Sequence, residues 1–132
     1  MMQCPCGSGE FYEECCQPYH NGKIPETALI LMRSRYSAYA KQRADYIIDT
    51  THPLNPSYSQ DKTYWKKQIL DFCTKTTFER LEILDFQEGE VSYVTFVATL
   101  RQNGKNASFK EKSRFEKING KWLYLSGSVM IV

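Results

Sequence analysis

"RQNGKNASFKEKSRFEKINGKW", residues 101–122, contains two Asn-Gly pairs, at 103–104 and 119–120, separated by a run of mixed apolar and charged residues. Asn-Gly favours a tight hairpin turn because both residues tolerate positive φ angles. The pattern predicts three consecutive strands over 90–102, 106–118 and 121–130, with one more strand over 78–86 before them. The sequence therefore predicts an antiparallel meander.

Three helices are predicted ahead of these strands. The first, which follows Pro25, has apolar residues at three- and four-residue steps that indicate one buried face: Leu29, Met32, Tyr36 and Tyr39. Asp45 is expected to cap a short second helix, and Ser59 a third helix with Trp65, Ile69 and Phe72 on one face. Helices followed by antiparallel strands define the α+β class, here with a curved sheet that a helix crosses and a cavity between them.

Length and composition fit one domain with a small addition. The chain has 132 residues, of which 42% are hydrophobic, enough for a single core. We divide it into an N-terminal segment, residues 1–22, called the knuckle below, and an α+β domain, residues 23–132. The first residues have neither the basic nor the apolar region of a signal peptide, and no window is apolar enough to span a membrane. These features predict a cytoplasmic protein.

"CPCGSGEFYEECC", residues 4–16, holds four of the five cysteines. In a reducing compartment, clustered cysteines are more often metal ligands than disulfides, and four thiolates suit a closed tetrahedral zinc site. His20 is an alternative ligand, and a redox-active Cys15-Cys16 pair or four simply buried cysteines are competing interpretations. Phe11 and Tyr12 are expected to form an apolar lid over the site. Cys73, beside Phe72, is expected to be a core residue.

These residues carry a resemblance. The Cys-x-Cys-Gly-Ser-Gly pattern followed by Cys15-Cys16 resembles the SEC-C motif, the zinc knuckle at the C-terminus of the SecA preprotein translocase. Four further blocks resemble the YchJ (UPF0225) family of SEC-C proteins: LMRSRYSAY at 31–39, THP at 51–53, KSRF at 112–115 and GKWLYLSG at 120–127. The resemblance implies a structural Zn²⁺ on Cys4, Cys6, Cys15 and Cys16, followed by a cystatin-like or NTF2-like domain. It implies no particular activity.

A carboxylate on the predicted third strand raises the question of a functional cavity. Glu111 shares one strand face with Phe109, Ser113 and Phe115 by two-residue alternation. The candidate pocket residues are Arg35, Tyr36, His52, Glu111, Arg114 and Trp122. Within this set, Glu111, His52 and Tyr36 would serve a small-ligand binder or an enzyme. The interpretation that we favour is structural: Glu111 pairs with Arg33, Arg35 or Arg114, and His52 caps a helix end. Because no catalytic motif stands out, we assign no catalytic residues and expect no enzyme.

Charge narrows the choice of partners. The net charge is only +2, and residues 1–22 contain three glutamates but no lysine or arginine. A zinc tetrathiolate would add negative charge, so the knuckle is not expected to bind nucleic acid or membranes. It should instead contact a protein with a basic surface or pack on the chain's own basic residues, Arg33, Arg35, Lys41 and Arg43. The leading hypothesis is a zinc-containing adaptor, and small-ligand binding is the alternative.

Overall fold

The computed structural model describes residues 2–130, which form an α+β fold. A 3₁₀ turn at Tyr12–Glu14 is followed by the helices α1 (Gln17–His20), α2 (Ala28–Ala40), α3 (Ala44–Asp49) and α4 (Lys62–Thr74). The strands are β1 (Thr76–Gln87), β2 (Val91–Gln102), β3 (Lys105–Asn106), β4 (Phe109–Ile118) and β5 (Lys121–Met130). Within residues 2–130, no helix is long and apolar enough to cross a membrane.

The strands form one antiparallel sheet in the order β1-β2-β4-β5, with the short β3 pairing only with β2. Both Asn-Gly turns are present, with φ values of 52° and 75° at the first pair and 52° and 80° at the second. The predicted meander is confirmed. The predicted strand 106–118 is interrupted, however, because the Ser108 hydroxyl accepts a hydrogen bond from the Leu100 amide (3.0 Å), a group that the sheet would otherwise pair.

Irregular pairing curves the sheet. The register of β4 and β5 shifts between Arg114 and Phe115, whose partners are Ser126 and Tyr124, so that Leu125 is an extra residue in β5. Two further shifts interrupt the pairing of β1 with β2. Such bulges bend a strand and increase its twist. The concave face that results carries alternate buried residues of β2 and β4, including Glu111 and Ser113.

Two helix caps differ from the prediction. Asp61, not Ser59, caps α4, because its carboxylate accepts a hydrogen bond from the Tyr64 amide (3.1 Å). The Ser59 hydroxyl instead accepts from the amide of Asp61. Asp45 lies inside the first turn of α3, whose N-cap is Arg43 without a side-chain hydrogen bond. Both predictions chose a good capping residue two positions from the observed N-cap, and helix boundaries are the least reliable part of such predictions.

Helix α2 is buried on more than one face, so the prediction of a single buried face was wrong. Its polar residues Ser34 and Ser37 have no exposed surface, and Leu31 is equally buried. The knuckle covers one side of α2 and the concave sheet the other, and all three share one hydrophobic core. A helix that is covered on both sides loses the amphipathic pattern that sequence periodicity detects.

Candidate metal centre and central pocket

The four N-terminal cysteines converge. The Sγ atoms of Cys4, Cys6, Cys15 and Cys16 all lie within 4.8 Å of one another. Cys6 and Cys15 are 3.6 Å apart, and Cys15 and Cys16 are 3.9 Å apart, measured between the sulfurs. Four thiolates about 2.3 Å from one tetrahedral ion have sulfurs about 3.8 Å apart. The cluster therefore has the size and donor set of a tetrahedral metal site, and all five cysteines are free thiols.

Neighbouring groups fix these sulfurs. The hydroxyls of Ser37 and Ser8 lie 3.2 Å from the sulfurs of Cys4 and Cys15, respectively. Hydrogen bonds from Cys16 and Cys4 lower the pKa of the Cys6 thiol, while burial raises the pKa of Cys15 to about 11. The lowered pKa favours the thiolate form of Cys6, which is the form that binds metal.

His20 has no free nitrogen for a metal. Its Nε2 lies 2.8 Å from the Ser34 carbonyl oxygen, to which it donates, and its Nδ1 lies 2.6 Å from the Tyr12 hydroxyl. Burial lowers the pKa of the His20 imidazole, which favours the neutral ring. The structure therefore gives no support to His20 as an alternative ligand. Of the two predicted lid residues, Tyr12 is buried, whereas Phe11 remains 42% exposed.

Basic residues of the same chain hold the knuckle against α2 and the residues after it. Arg33 donates to the Cys6 carbonyl oxygen (2.8 Å), and Arg43 donates to the His20 carbonyl oxygen (3.1 Å). The Lys41 ammonium lies 4.7 Å from the centre of the Tyr12 ring, a cation–π distance. Three of the four basic residues predicted to contact the knuckle do so. Arg35, the fourth, points away from it.

A pocket of about 400 Å³ lies between α2, α4 and the concave face of the sheet, and it is called the central pocket below. Most of its wall is apolar, contributed by Met32, Tyr36, Tyr39, Trp65, Ile69, Phe72, Phe78, Phe96, Ala98, Leu100 and Phe109. The polar wall consists of Arg35, Ser57, Gln68, Glu111, Ser113 and Tyr124. A neighbouring hollow of about 340 Å³ shares Arg35, Ser57 and Tyr124 with this wall.

Glu111 lies on the pocket wall and is only 9% exposed. Its Oε2 accepts hydrogen bonds from the hydroxyls of Ser113 and Tyr124, the latter at 3.0 Å. Burial, followed by the Glu111 charge, raises the pKa of Tyr124, so that this hydroxyl stays protonated and donates. On β5, Gly127 pairs with Ser113, and a Cβ at this position would collide with the Glu111 carboxylate. Residues of β4 and the neighbouring β5 thus hold the carboxylate in place.

The predicted ion pairs of Glu111 are absent among the described residues. Arg33 binds the knuckle, as described above, and Arg114 pairs with Glu116 at 3.0 Å. Arg35 uses its Nη1 to donate to the hydroxyls of Thr50 (2.8 Å) and Thr51 (3.2 Å) and to the Ile47 carbonyl oxygen (3.1 Å). The favoured structural interpretation of Glu111 was therefore wrong.

Three of the six candidate pocket residues line the central pocket, namely Arg35, Tyr36 and Glu111. The other three do not. Arg114 is exposed because it alternates with Glu111 and Ser113 on β4. Trp122 lies near the β4–β5 turn, where its Nε1 donates to the Glu26 carbonyl oxygen at 3.3 Å.

His52 also lies outside the central pocket. Its amide donates to the Tyr124 carbonyl oxygen at 2.9 Å, beside a parallel bridge between Thr51 and Tyr124. The imidazole contacts its own loop, where its Nδ1 accepts a hydrogen bond from the Leu54 amide at 3.0 Å. The ring thus stabilises a turn and caps no helix.

Sequence reasoning did not single out several pocket residues. Ser113 and Tyr124 hold Glu111. Ser113 was noted only as a neighbour on its strand face, and Tyr124 only as part of the GKWLYLSG block. Thr50 and Thr51, which hold Arg35, gave no signal, because their contact with α2 depends on a distant part of the chain. Gly127 ends the GKWLYLSG block, and a strand glycine is itself a sign of a close approach.

Comparison with known proteins agrees with this geometry. Residues 27–127 match the family model described as "YchJ, middle NTF2-like domain". The structure superposes on the solution structure of a SEC-C motif containing protein from Rhodopseudomonas palustris, with a TM-score of 0.80, 32% identity and 99% of each chain covered. A SEC-C motif containing protein from Psychrobacter arcticus gives a TM-score of 0.77 at 28% identity, over 98% of this chain and 83% of the other.

The protein is therefore of the SEC-C motif class, with an NTF2-like domain behind its cysteine cluster. A UPF0225 protein of Serratia proteamaculans is 37% identical over 131 residues, which cover 95% of this chain and 82% of the relative. The chain belongs to the YchJ (UPF0225) family.

Proposed function

We propose that this protein binds a small, largely apolar molecule in the central pocket, and that a structural Zn²⁺ holds the knuckle against the back of α2. The observation that carries the proposal is Glu111 on the wall of an apolar pocket, a buried carboxylate that has no ion-pair partner within residues 2–130. Binding sites are commonly apolar cavities of this size with a few oriented polar groups. A carboxylate needed only for stability would be expected to face a cation.

Zinc is the metal that best suits the cysteine cluster. Soft thiolates favour zinc, and four of them leave no open position for water or substrate. Cys4, Cys6, Cys15 and Cys16 would hold the ion, with hydrogen bonds from Ser37 and Ser8 to two of the sulfurs. The ion would stabilise the knuckle and take no part in chemistry. The division into the knuckle, residues 1–22, and a domain, residues 23–132, is part of this proposal.

Filling the pocket tests the binding function. Ala98 is 2% exposed and lines the pocket, whereas Val97 lies on the opposite face of β2. In NMR titrations with the neutral probe indole, the unmodified protein should show saturable shifts for pocket residues. Ala98→Phe should abolish these shifts and Val97→Phe should retain them. Shifts that persist in a folded Ala98→Phe variant would place binding elsewhere, and no shifts in any variant with a panel of neutral aromatic probes would refute the function.

An adaptor role is a second candidate, supported by the outer surface of the knuckle. Glu10, Glu13 and Glu14 are exposed there beside the partly exposed Phe11. An acidic surface with one aromatic side chain suits a partner protein with a basic surface, and it disfavours nucleic acid and anionic membranes.

Charge reversal tests the adaptor role. A partner captured from a lysate should be lost when Glu10, Glu13 and Glu14 become lysine. It should be retained when three exposed acidic residues of the β1–β2 region, Asp85, Glu88 and Glu90, are changed in the same way. Equal capture by both triple variants would refute the role of the knuckle.

A further inference from the structure

Arg35 is a buried cation that has unused hydrogen-bond donors. It is 6% exposed and forms no ion pair among residues 2–130. Among the described residues, its Nη1 makes all three of its hydrogen bonds, whereas Nε and Nη2 have no acceptor. A guanidinium carries five N–H groups in a planar fork that matches a carboxylate. A buried charge without a counter-ion is costly, so these donors point to a missing partner.

The free edge of Arg35 meets open space. Within residues 2–130, the Tyr36 hydroxyl is the one fully buried side-chain polar atom without a hydrogen bond. The unused nitrogens of Arg35 are thus accessible, and Arg35 lines both the central pocket and the neighbouring hollow. The same reasoning applies to Glu111, whose Oε1 has no hydrogen-bond partner in the described part of the chain, while Oε2 has two.

Tyr124 brings these two charges to the same part of the wall. The Arg35 guanidinium lies over the Tyr124 ring, 4.7 Å from its centre, and the Tyr124 hydroxyl donates to Glu111. Arg35 and Glu111 are the two charged residues among those that line the pocket. The guanidinium donors of Arg35 and the carboxylate acceptor of Glu111 therefore lie near each other. Aromatic side chains, such as those of Phe96 and Phe109, line the same pocket.

We propose that the central pocket takes a carboxylic acid that carries an amino or hydroxyl group beside its carboxylate and has an apolar, aromatic-sized side chain. Arg35 binds the carboxylate through Nε and Nη2, Glu111 accepts a hydrogen bond from the neighbouring amino or hydroxyl group, and the side chain lies among the phenylalanines. This inference rests on the proposed function, since it names the ligand of the same pocket. A neutral apolar ligand would leave both charges desolvated and unpaired.

Three probes of the same shape test the assignment: 3-phenylpropanamide, 3-phenylpropionate and L-phenylalanine. Calorimetric titration of the zinc-loaded protein should show the acid binding about tenfold or more tightly than the amide, because a carboxylate forms charge-assisted hydrogen bonds with a guanidinium. L-Phenylalanine should bind more tightly still, because its ammonium group reaches Glu111.

Two variants and one control variant assign the effect to residues. Arg35→Lys, which keeps the charge but loses the fork, should reduce the advantage of the acid over the amide to about twofold. Arg114→Lys, the same change at an exposed position, should leave it unchanged. Glu111→Gln, which nearly preserves shape, should weaken L-phenylalanine about tenfold without weakening 3-phenylpropionate. If Arg35→Lys fails to fold, Glu111→Gln still tests the proposal, because it should weaken the binding of L-phenylalanine and leave the binding of 3-phenylpropionate unchanged.

The outcomes distinguish this inference from the proposed function. Equal affinity for amide and acid would overturn the inference, while amide binding itself would support a ligand pocket. Weakening of both acids to the same degree by Glu111→Gln would likewise overturn it. If indole binds and none of the three probes does, the inference about the ligand is refuted, while the proposed binding function of the pocket is still supported. If indole does not bind either, both the inference about the ligand and the proposed binding function are refuted.

Discussion

The knuckle and the central pocket lie on opposite sides of α2, and they differ in how their polar groups are satisfied. On the knuckle side, Ser37 reaches a cysteine sulfur and Arg33 reaches a carbonyl oxygen, and four cysteines form one closed set. On the pocket side, Arg35 and Glu111 are buried but keep unused donors and an unused acceptor. The comparison teaches that burial alone does not identify a functional site. Buried polar groups with unused hydrogen-bond donors or acceptors are the better indicator of a functional site.

The largest effect is expected from removing one of the four clustered cysteines. Cys6→Ser removes a fully buried member of the cysteine cluster. Because the proposed structural zinc would contribute folding free energy directly, we expect loss of the ion and destabilisation by about 3 kcal/mol or more. Zinc content and thermal unfolding would measure both effects. Cys73→Ser, a change at a buried cysteine outside the cluster, should retain one zinc per chain. Equal zinc loss in the two variants would contradict the ligand assignment.

A smaller effect is expected from crowding the pocket side. Gly127→Ala places a Cβ against the Glu111 carboxylate and the Tyr124 hydroxyl, which should cost about 2 kcal/mol by overpacking. Denaturant unfolding would measure the loss. Adding Glu111→Ala should recover part of it, so that the two changes are not additive. Full additivity would mean that the glycine serves another purpose.

Arg33→Met sharpens the comparison within a single helix. Arg33 and Arg35 are two residues apart, but Arg33 donates to the knuckle. Losing this hydrogen bond should cost about 1 kcal/mol and should speed the transfer of zinc to a chelator, while the affinity for 3-phenylpropionate stays the same. A stopped-flow chelator assay and calorimetry would measure the two quantities. A change in ligand affinity without faster zinc transfer would reverse the assignment of the two faces.

The smallest effect concerns Cys73, which belongs to neither region. Burial raises the pKa of its thiol to about 11, so the unreactive protonated form should dominate in the folded protein at about pH 8. Iodoacetamide labelling followed by mass spectrometry should modify none of the five cysteines rapidly in the zinc-loaded protein. Chelation should remove the ion proposed to hold the knuckle folded and so expose its four cysteines, which should then react before Cys73, whose site does not depend on the metal. Early labelling of Cys73 would contradict its assignment as a core residue.

Local signals were sufficient to predict most of the fold. An Asn-Gly pair favours a hairpin turn because of its own backbone preferences, so the meander could be predicted from residues 103–104 and 119–120 alone. The cysteine cluster could be predicted because a short segment supplies all four thiols. Helix α2 was less predictable, since its buried polar residues contact other elements that periodicity does not report: Ser37 contacts Cys4 of the knuckle, and Ser34 contacts Tyr46 of α3.

The pocket was predictable only in part. Strand alternation indicated Glu111, but whether it pairs with an arginine depends on where each arginine points. Arg33 and Arg35 differ by two positions on one helix, and only their contacts with the Cys6 carbonyl oxygen and with Thr50 distinguish them. Such long-range contacts leave no mark in the neighbouring sequence.

The central claim is that the cysteine site is closed and structural while the pocket is open to a ligand. X-ray absorption at the zinc edge, recorded on the purified protein with and without saturating 3-phenylpropionate, tests it most directly. The account predicts four sulfur ligands at about 2.3 Å from the zinc in both samples. An oxygen or nitrogen ligand on the metal, or a change in its ligands when the acid is added, would contradict it.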